Sequence, residues 1–252
     1  MSVKPTSGPR ALFVDVGGTL LQGRADISPR ELSLARLVDR FGPRDWFGPL
    51  LDADLLTAML ADDPDEPFRQ RTLAAVSRWL SQRGIGPDGI DLDELRRTCV
   101  VPGSVHGELA PGAREALAWA RDRGMRVILV SNTLWSAAED MAADFPGLEI
   151  ATLVDGVVTS HSIGYRKPHP AIFERALSLA GVAPHAAVMV GDEPYQDVFG
   201  AQRVGMRAVW VRPRSPRARP VGEPDGFVVR ADAEIESLAE LPPILERWTV
   251  RG

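Results

Sequence analysis

Four short apolar runs constrain this chain more than any other feature. Ala11–Val14, Arg126–Val130, Ala187–Val190 and Arg207–Val211 are apolar at nearly every position and are too short for helices. Such runs, with no polar alternation, are the pattern of strands buried on both faces of a parallel sheet. The last three follow helical stretches at Gly112–Arg123, Ala171–Ala180 and Asp197–Arg203. Gly124, Gly181 and Gly205 fall where a glycine ends a helix. Strands alternating with helices predict an α/β fold with a mostly parallel sheet.

The segment Gly23–His106 breaks this rhythm. Ser28-Pro29-Arg30-Glu31 is a capping box with proline at the first helical position, opening a helix through Leu32, Leu34, Ala35 and Val38. Further helical patterns occupy Leu50–Ala61, Pro67–Arg83 and Asp91–Val101, and no strand is predicted among them. The expected division is a sheet core of residues 1–22 and 107–252 carrying a helical insert, residues 23–106. Trp46-Phe47, Phe68 and Trp79 in the insert read as core packing, and the Arg- and Pro-rich Arg212–Asp225 reads as a solvated surface loop.

Composition narrows the functional classes. Net charge is −5, so the molecule as a whole has no electrostatic attraction for nucleic acid or anionic membranes. No apolar window approaches the roughly 18 residues of a membrane span, and Met1–Arg10 lacks the apolar stretch of a signal peptide. The single cysteine, Cys99, cannot form an internal disulfide or a cysteine metal site and reads as a small helix residue. A cytoplasmic protein is the expectation. Nothing in the sequence specifies an oligomeric state. The only lysines are Lys4 and Lys167, which makes Lys167 conspicuous.

Ligands of open parallel sheets bind beyond the carboxyl ends of the strands. Asp15 follows the first run, Ser131-Asn132 the second and Gly191-Asp192 the third. Lys167 lies in Gly164-Tyr165-Arg166-Lys167-Pro168, just before the helix that leads to the third run. A carboxylate after a strand is usually a cap or a turn residue. Two carboxylates, a hydroxyl and an ammonium from four segments, all directed to one sheet edge, instead suggest a site the size of a phosphate.

In these residues the chain resembles the haloacid dehalogenase (HAD) superfamily over nearly its whole length. Asp15-Val16-Gly17-Gly18-Thr19 is similar to the family's first motif, an apolar strand followed by Asp-x-Asp-Gly-Thr. Ser131-Asn132 resembles the second, Lys167-Pro168 the third, and Gly191-Asp192-Glu193-Pro194-Tyr195-Gln196-Asp197 the fourth. The helical insert after the first motif is similar to the family's C1 cap. The resemblance implies a Rossmann-like three-layer α/β/α core and a Mg²⁺-dependent phosphohydrolase acting on a small phosphorylated molecule, with no nucleic-acid or membrane partner. It implies Asp15 as the nucleophile forming an aspartyl-phosphate, with Lys167 neutralising charge. It implies Asp15, the carbonyl of Gly17 and Asp192 as Mg²⁺ ligands, and Gly18, Thr19, Ser131 and Asn132 as the substrate-binding residues. Asp197 and Glu193 would stand behind them and orient the metal surroundings or Lys167.

The departure is Gly17, where family phosphatases normally carry the Asp that protonates the leaving group and then activates water. Glu193, His161 and His106 are candidates to supply the proton instead. A phosphonatase-like Schiff base needs a lysine in the cap, and residues 23–106 contain none. A metal-free dehalogenase has no need of the Gly191-Asp192 motif. Two readings stay open: a phosphohydrolase with altered proton transfer, or a catalytically impaired binding or regulatory module that kept the phosphate site.

Overall fold

The structure, a computed structural model, describes residues 8–52, 68–86, 89–213 and 223–250. Its centre is a six-stranded parallel sheet. In chain order the sheet strands are β1 (Ala11–Val14), β4 (Arg126–Ser131), β5 (Gly156–Thr159), β6 (Ala187–Gly191), β7 (Arg207–Val211) and β8 (Ala233–Ile235). Across the sheet they run β5-β4-β1-β6-β7-β8. Two further strands, β2 (Leu21–Gly23) and β3 (Gly107–Leu109), pair antiparallel at the two ends of the insert.

The unbroken apolar runs are explained by what each face buries. Leu12, Val14, Val127, Leu129, Val188 and Val190 pack to one side, against Ala113 and Leu117 of α5 (Ala113–Asp122) and Leu241 and Leu245 of α8 (Leu241–Val250). Ala11, Phe13, Ile128, Val130, Ala187 and Met189 pack to the other, against Phe173 and Leu177 of α6 (Pro170–Ala180) and Ala201 of α7 (Gly200–Arg203). Each strand alternates between two cores, so neither set of positions can be polar. The result is a three-layer α/β/α core. The four expected strands are present, while β5 and β8, at the two edges, escaped the reading of the sequence.

A third apolar cluster belongs to the insert. It joins α1 (Pro29–Phe41), α2 (Phe47–Leu51), α3 (Thr72–Gln82) and α4 (Leu92–Cys99) through Leu37, Phe47, Leu50, Val76, Trp79, Leu95 and Cys99. The Ser28 hydroxyl accepts from the Glu31 amide at 3.3 Å to cap α1, and Asp91 accepts from Glu94 at 2.7 Å to cap α4. Most of the helix expected at Leu50–Ala61 lies outside the described residues. The helix expected from Pro67 starts later, at Thr72, because Phe68–Gln70 is extended and bridges core residues: Arg69 pairs with Tyr165, and the Gln70 amide donates to Gly164 at 2.8 Å. Among the described residues the insert gives no strand to the central sheet. Also among them, no helix is long and apolar enough to cross a membrane.

Cys99 is 2% exposed, and burial pushes its thiol up to about 12. It is therefore no nucleophile. The expected outcome is that a thiol reagent at mildly alkaline pH leaves the native protein unmodified and titrates the one cysteine only after unfolding in urea. Rapid labelling of the native state would show instead that α4 opens freely.

Candidate active site

Register brings the site together. Val14 lies opposite Leu129 on one neighbour and Val190 on the other, so the residues just beyond Val14, Leu129 and Val190 emerge at one level. The Asp15 amide donates to Val190 O at 2.9 Å, continuing the ladder one step past the strand. The chain then turns at once: Gly18, at φ 80°, takes a backbone conformation that favours glycine, and its amide donates to Leu21 O at 2.7 Å. Gly191, at the end of β6, is small for a different reason. A Cβ there would lie 2.2 Å from Cγ of Asp197, so the absence of a side chain lets Asp197 fold over the strand end.

Three carboxylates meet here. Oxygens of Asp15, Asp192 and Asp197 all lie within 4.8 Å of one another, and all three residues are buried. The Lys167 ammonium, 3% exposed as a residue, donates to Asp15 Oδ1 at 2.6 Å, Asp197 Oδ1 at 2.6 Å and Val130 O at 3.0 Å, which uses its three protons. Burial alone would depress this ammonium, but the Asp15 and Asp197 carboxylates outweigh burial and hold it raised, so it stays charged. Burial pushes the Asp197 carboxyl upward against the pull of Lys167, and Asp15 and Asp192 add to the rise. Asp197 is further held by the Glu193 amide, which donates to its Oδ2 at 3.1 Å. The Glu193 carbonyl in turn accepts from the Asp197 amide at 2.8 Å, so Glu193 grips Asp197 through its backbone.

The structure places the remaining expected site residues differently from one another. Ser131, 5% exposed, lines a cavity with Gly17 and Gly18. Thr19 and Asn132, expected among the substrate-binding residues, have side chains committed to protein partners. The Thr19 hydroxyl donates to Asp192 Oδ1 at 2.9 Å. Asn132 accepts from the Lys167 amide at 2.8 Å, donates back to the Lys167 carbonyl at 3.2 Å, and donates to Gln196 at 2.7 Å. It clamps the backbone that presents the lysine. Of the three candidates for the missing proton donor, His161 points its Nδ1 at Leu134 O, 3.2 Å away, while His106 lines the cavity that contains Gly17.

Some positioning residues had no signal in the sequence. The indole of Trp210 donates to the Asp192 carbonyl at 3.1 Å from the neighbouring strand. Gln70, Thr72 and Arg96 of the insert donate to the carbonyls of Thr133, Leu134 and Trp135 at 2.7, 3.1 and 2.7 Å, pinning the loop after Ser131. Arg96 also pairs with Asp140 at 2.5 Å. None of these forms a motif. They depend on contacts between segments distant in sequence.

A buried, lysine-bridged carboxylate cluster at the carboxyl edge of a doubly covered parallel sheet defines a hydrolase-type site. The chain belongs to the haloacid dehalogenase-like hydrolase family, whose model matches residues 9–205. It is 40% identical over 116 residues to a phosphoserine phosphatase of Thermus thermophilus, an overlap covering 44% of this chain and 45% of that protein. A phosphoglycolate phosphatase of Nitrosococcus oceani is 25% identical over 250 residues, 95% of this chain and 97% of that one. The matches to the first curated relatives span about half the length of each relative. Among solved structures, a 2-haloacid dehalogenase from Pseudomonas syringae aligns with a TM-score of 0.64 and 26% identity, covering 95% of this chain and 99% of that one.

Removing Lys167 should leave two buried carboxylates without their shared cation. Lys167→Met is expected to lower stability by about 3–5 kcal/mol in urea unfolding without divalent cations. Adding Asp197→Asn should recover part of that loss, because one stranded charge is then gone. Additive or negligible losses would mean that the ion-pair network does not hold the sheet edge together.

Proposed function

We propose that the chain is a Mg²⁺-dependent phosphohydrolase that moves a phosphoryl group from a small phosphorylated molecule to Asp15 and then to water. The observation that carries this reading is the Lys167 ammonium set 2.6 Å from both Asp15 and Asp197, inside a cluster that also holds Asp192. A carboxylate becomes a useful nucleophile toward a dianionic phosphate when fixed cations neutralise the gathering charge. The phosphatase names of the relatives support a small phosphorylated substrate.

The donor set fits a hard divalent cation. Three buried carboxylates cluster together, two of them bound to one ammonium, and Mg²⁺ favours one or two carboxylates together with phosphate oxygens and water. Asp15, Asp192 and the carbonyl of Gly17 would hold the ion, with Asp197 behind them. Bound there, Mg²⁺ would supply positive charge against the phosphate oxygens. The protein's own groups divide the remaining work. Asp15 attacks phosphorus in line with the leaving oxygen, and Lys167 holds the Asp15 carboxylate in place and offsets the gathering charge. Ser131, with the backbone of the turn after Asp15, would bind the transferred oxygens, although the Gly18 amide itself is spent on Leu21 O. Asn132 fixes the Lys167 backbone, and Thr19 fixes Asp192. The helical insert acts as a cap over this edge, excluding water during transfer.

Gly17 favours a second reading, a module that binds phosphate without turnover, because no side chain there can handle a proton. Acyl phosphates separate the two, since their leaving group needs no protonation. With acetyl phosphate and Mg²⁺, the enzyme should show a burst of phospho-Asp15 by intact mass, followed by slow phosphate release. Chelation of the metal should abolish the burst. Gly17→Asp should speed the slow phase by about 10²-fold. The variant has room for its side chain, because a Cβ at Gly17 meets nothing within 4 Å. Absence of phosphorylation in both wild type and Gly17→Asp would establish the binding module.

A further inference from the structure

The space opened by Gly17 has a second occupant on its wall. A cavity of about 260 Å³ is lined by Gly17, Gly18 and Ser131 on the sheet side and by His106 at the end of the insert. A second cavity, about 340 Å³, runs toward the insert past Arg30, Ser33 and Trp135, and His106 lines that one too. His106 therefore stands where the route from the cap meets the phosphate site. Its position is fixed by backbone. β2 and β3 pair Gly23 with Gly107, and the Arg24 amide donates to the His106 carbonyl at 2.9 Å. The same hairpin returns to the site through Leu21, which bridges Gly17.

The other titratable groups on the cavity wall are already committed. Asp140 is paired with Arg96 at 2.5 Å and accepts from the Ala137 amide at 2.8 Å. Asp144 accepts from the amide and the hydroxyl of Ser104. His161 and Glu193 line neither cavity. The His106 imidazole is half-buried, and among the described residues no hydrogen bond or ion pair engages it. Imidazole is also the side chain best suited to both giving and taking a proton near neutrality.

Resting on the phosphohydrolase reading above, we propose that His106 is the catalytic acid and base that replaces the side chain missing at Gly17. In the first half-reaction the Asp15 carboxylate forms a bond to phosphorus as the bond to the leaving oxygen breaks, and the imidazolium gives that oxygen its proton. In the second, a water oxygen bonds to phosphorus as the Asp15–phosphorus bond breaks. The neutral imidazole takes the water's proton, Asp15 leaves as carboxylate, and the imidazolium is ready for the next substrate. One water is consumed per phosphate released, and no other reactant is needed. A water in the cavity that Gly17, Ser131 and His106 line would be the carrier of that proton.

The experiment measures the lifetime of phospho-Asp15 in the 252-residue chain after acetyl phosphate is removed, with Mg²⁺ present. His106→Asn is expected to accept phosphate from acetyl phosphate as fast as wild type, and to lose it about 10²-fold more slowly. Free imidazole should shorten the lifetime in His106→Ala. In a Gly17→Asp background, His106→Asn should have almost no effect, because the restored carboxylate then handles the proton. His106→Gln, with an unchanged urea midpoint, guards against a folding artefact. A phosphoenzyme whose lifetime ignores His106→Asn overturns this inference alone. So does an equal slowing in the wild-type and Gly17→Asp backgrounds, which marks His106 as structural. A chain never phosphorylated at Asp15 removes this inference together with the reading on which it rests.

Discussion

The ammonium of Lys167 is the constraint on which the rest of the molecule depends. A charge as deeply buried as this one is tolerated only with partners at close range, and two carboxylates and a carbonyl supply them. Each partner comes from a different segment: Asp15 from the turn after β1, Val130 from β4, Asp197 from the wide helical turn Pro194–Phe199. The lysine can be satisfied only when three separate pieces of chain are in register. Burial of the sheet's two apolar faces provides the driving force for that register, and the ion-pair network makes one arrangement far better than its neighbours.

Much of this was legible in the sequence, for a physical reason. A strand buried on both faces must be apolar throughout, so Ala11–Val14 and Arg207–Val211 announced themselves with their observed limits. Edge strands are under weaker constraint. β8 is three residues long with Glu234 exposed in its middle, and β5 begins at a glycine, so neither carries the apolar signature. The four site residues were legible because each follows a strand or a Gly-rich turn in a recognisable order. What those side chains touch was not legible. Thr19 and Asn132 look like ligand-binding groups in sequence and turn out to hold Asp192 and Lys167. The hydrogen-bond partner of a hydroxyl or an amide is set by three-dimensional neighbours that no spacing rule encodes.

The insert is less legible still, and its role in the site depends on the same kind of distant contact. Helical periodicity located α1 and α4, but the extended piece Phe68–Gln70 hid inside a helix-like pattern. That piece matters, because it fastens the insert to Tyr165 and Arg166, next to Lys167, while Gln70 and Thr72 fasten it to the loop after Ser131. The insert is thus bonded to both the loop that carries Lys167 and the loop after Ser131. Those bonds tie the placement of the insert to that of the two loops, so a change that loosens one disturbs the other.

Gly17 then reads as a division of labour rather than a defect. Holding a phosphoryl group requires charge at fixed positions, and the sheet edge supplies that from rigid strand ends. Moving a proton requires a group that reaches the reacting oxygen at the right moment, and the sheet edge at Gly17 supplies none. The backbone there leaves open space, which connects to a cavity walled by residues of the cap hinge. On the proposal above, the proton is handled from the β2–β3 strand pair, which joins the insert to the sheet and holds His106 on the wall of the space left at Gly17. On that reading the sheet edge holds the phosphoryl group while the wall moves the proton, so a substitution at His106 disturbs the second task and leaves the lysine-bridged cluster intact.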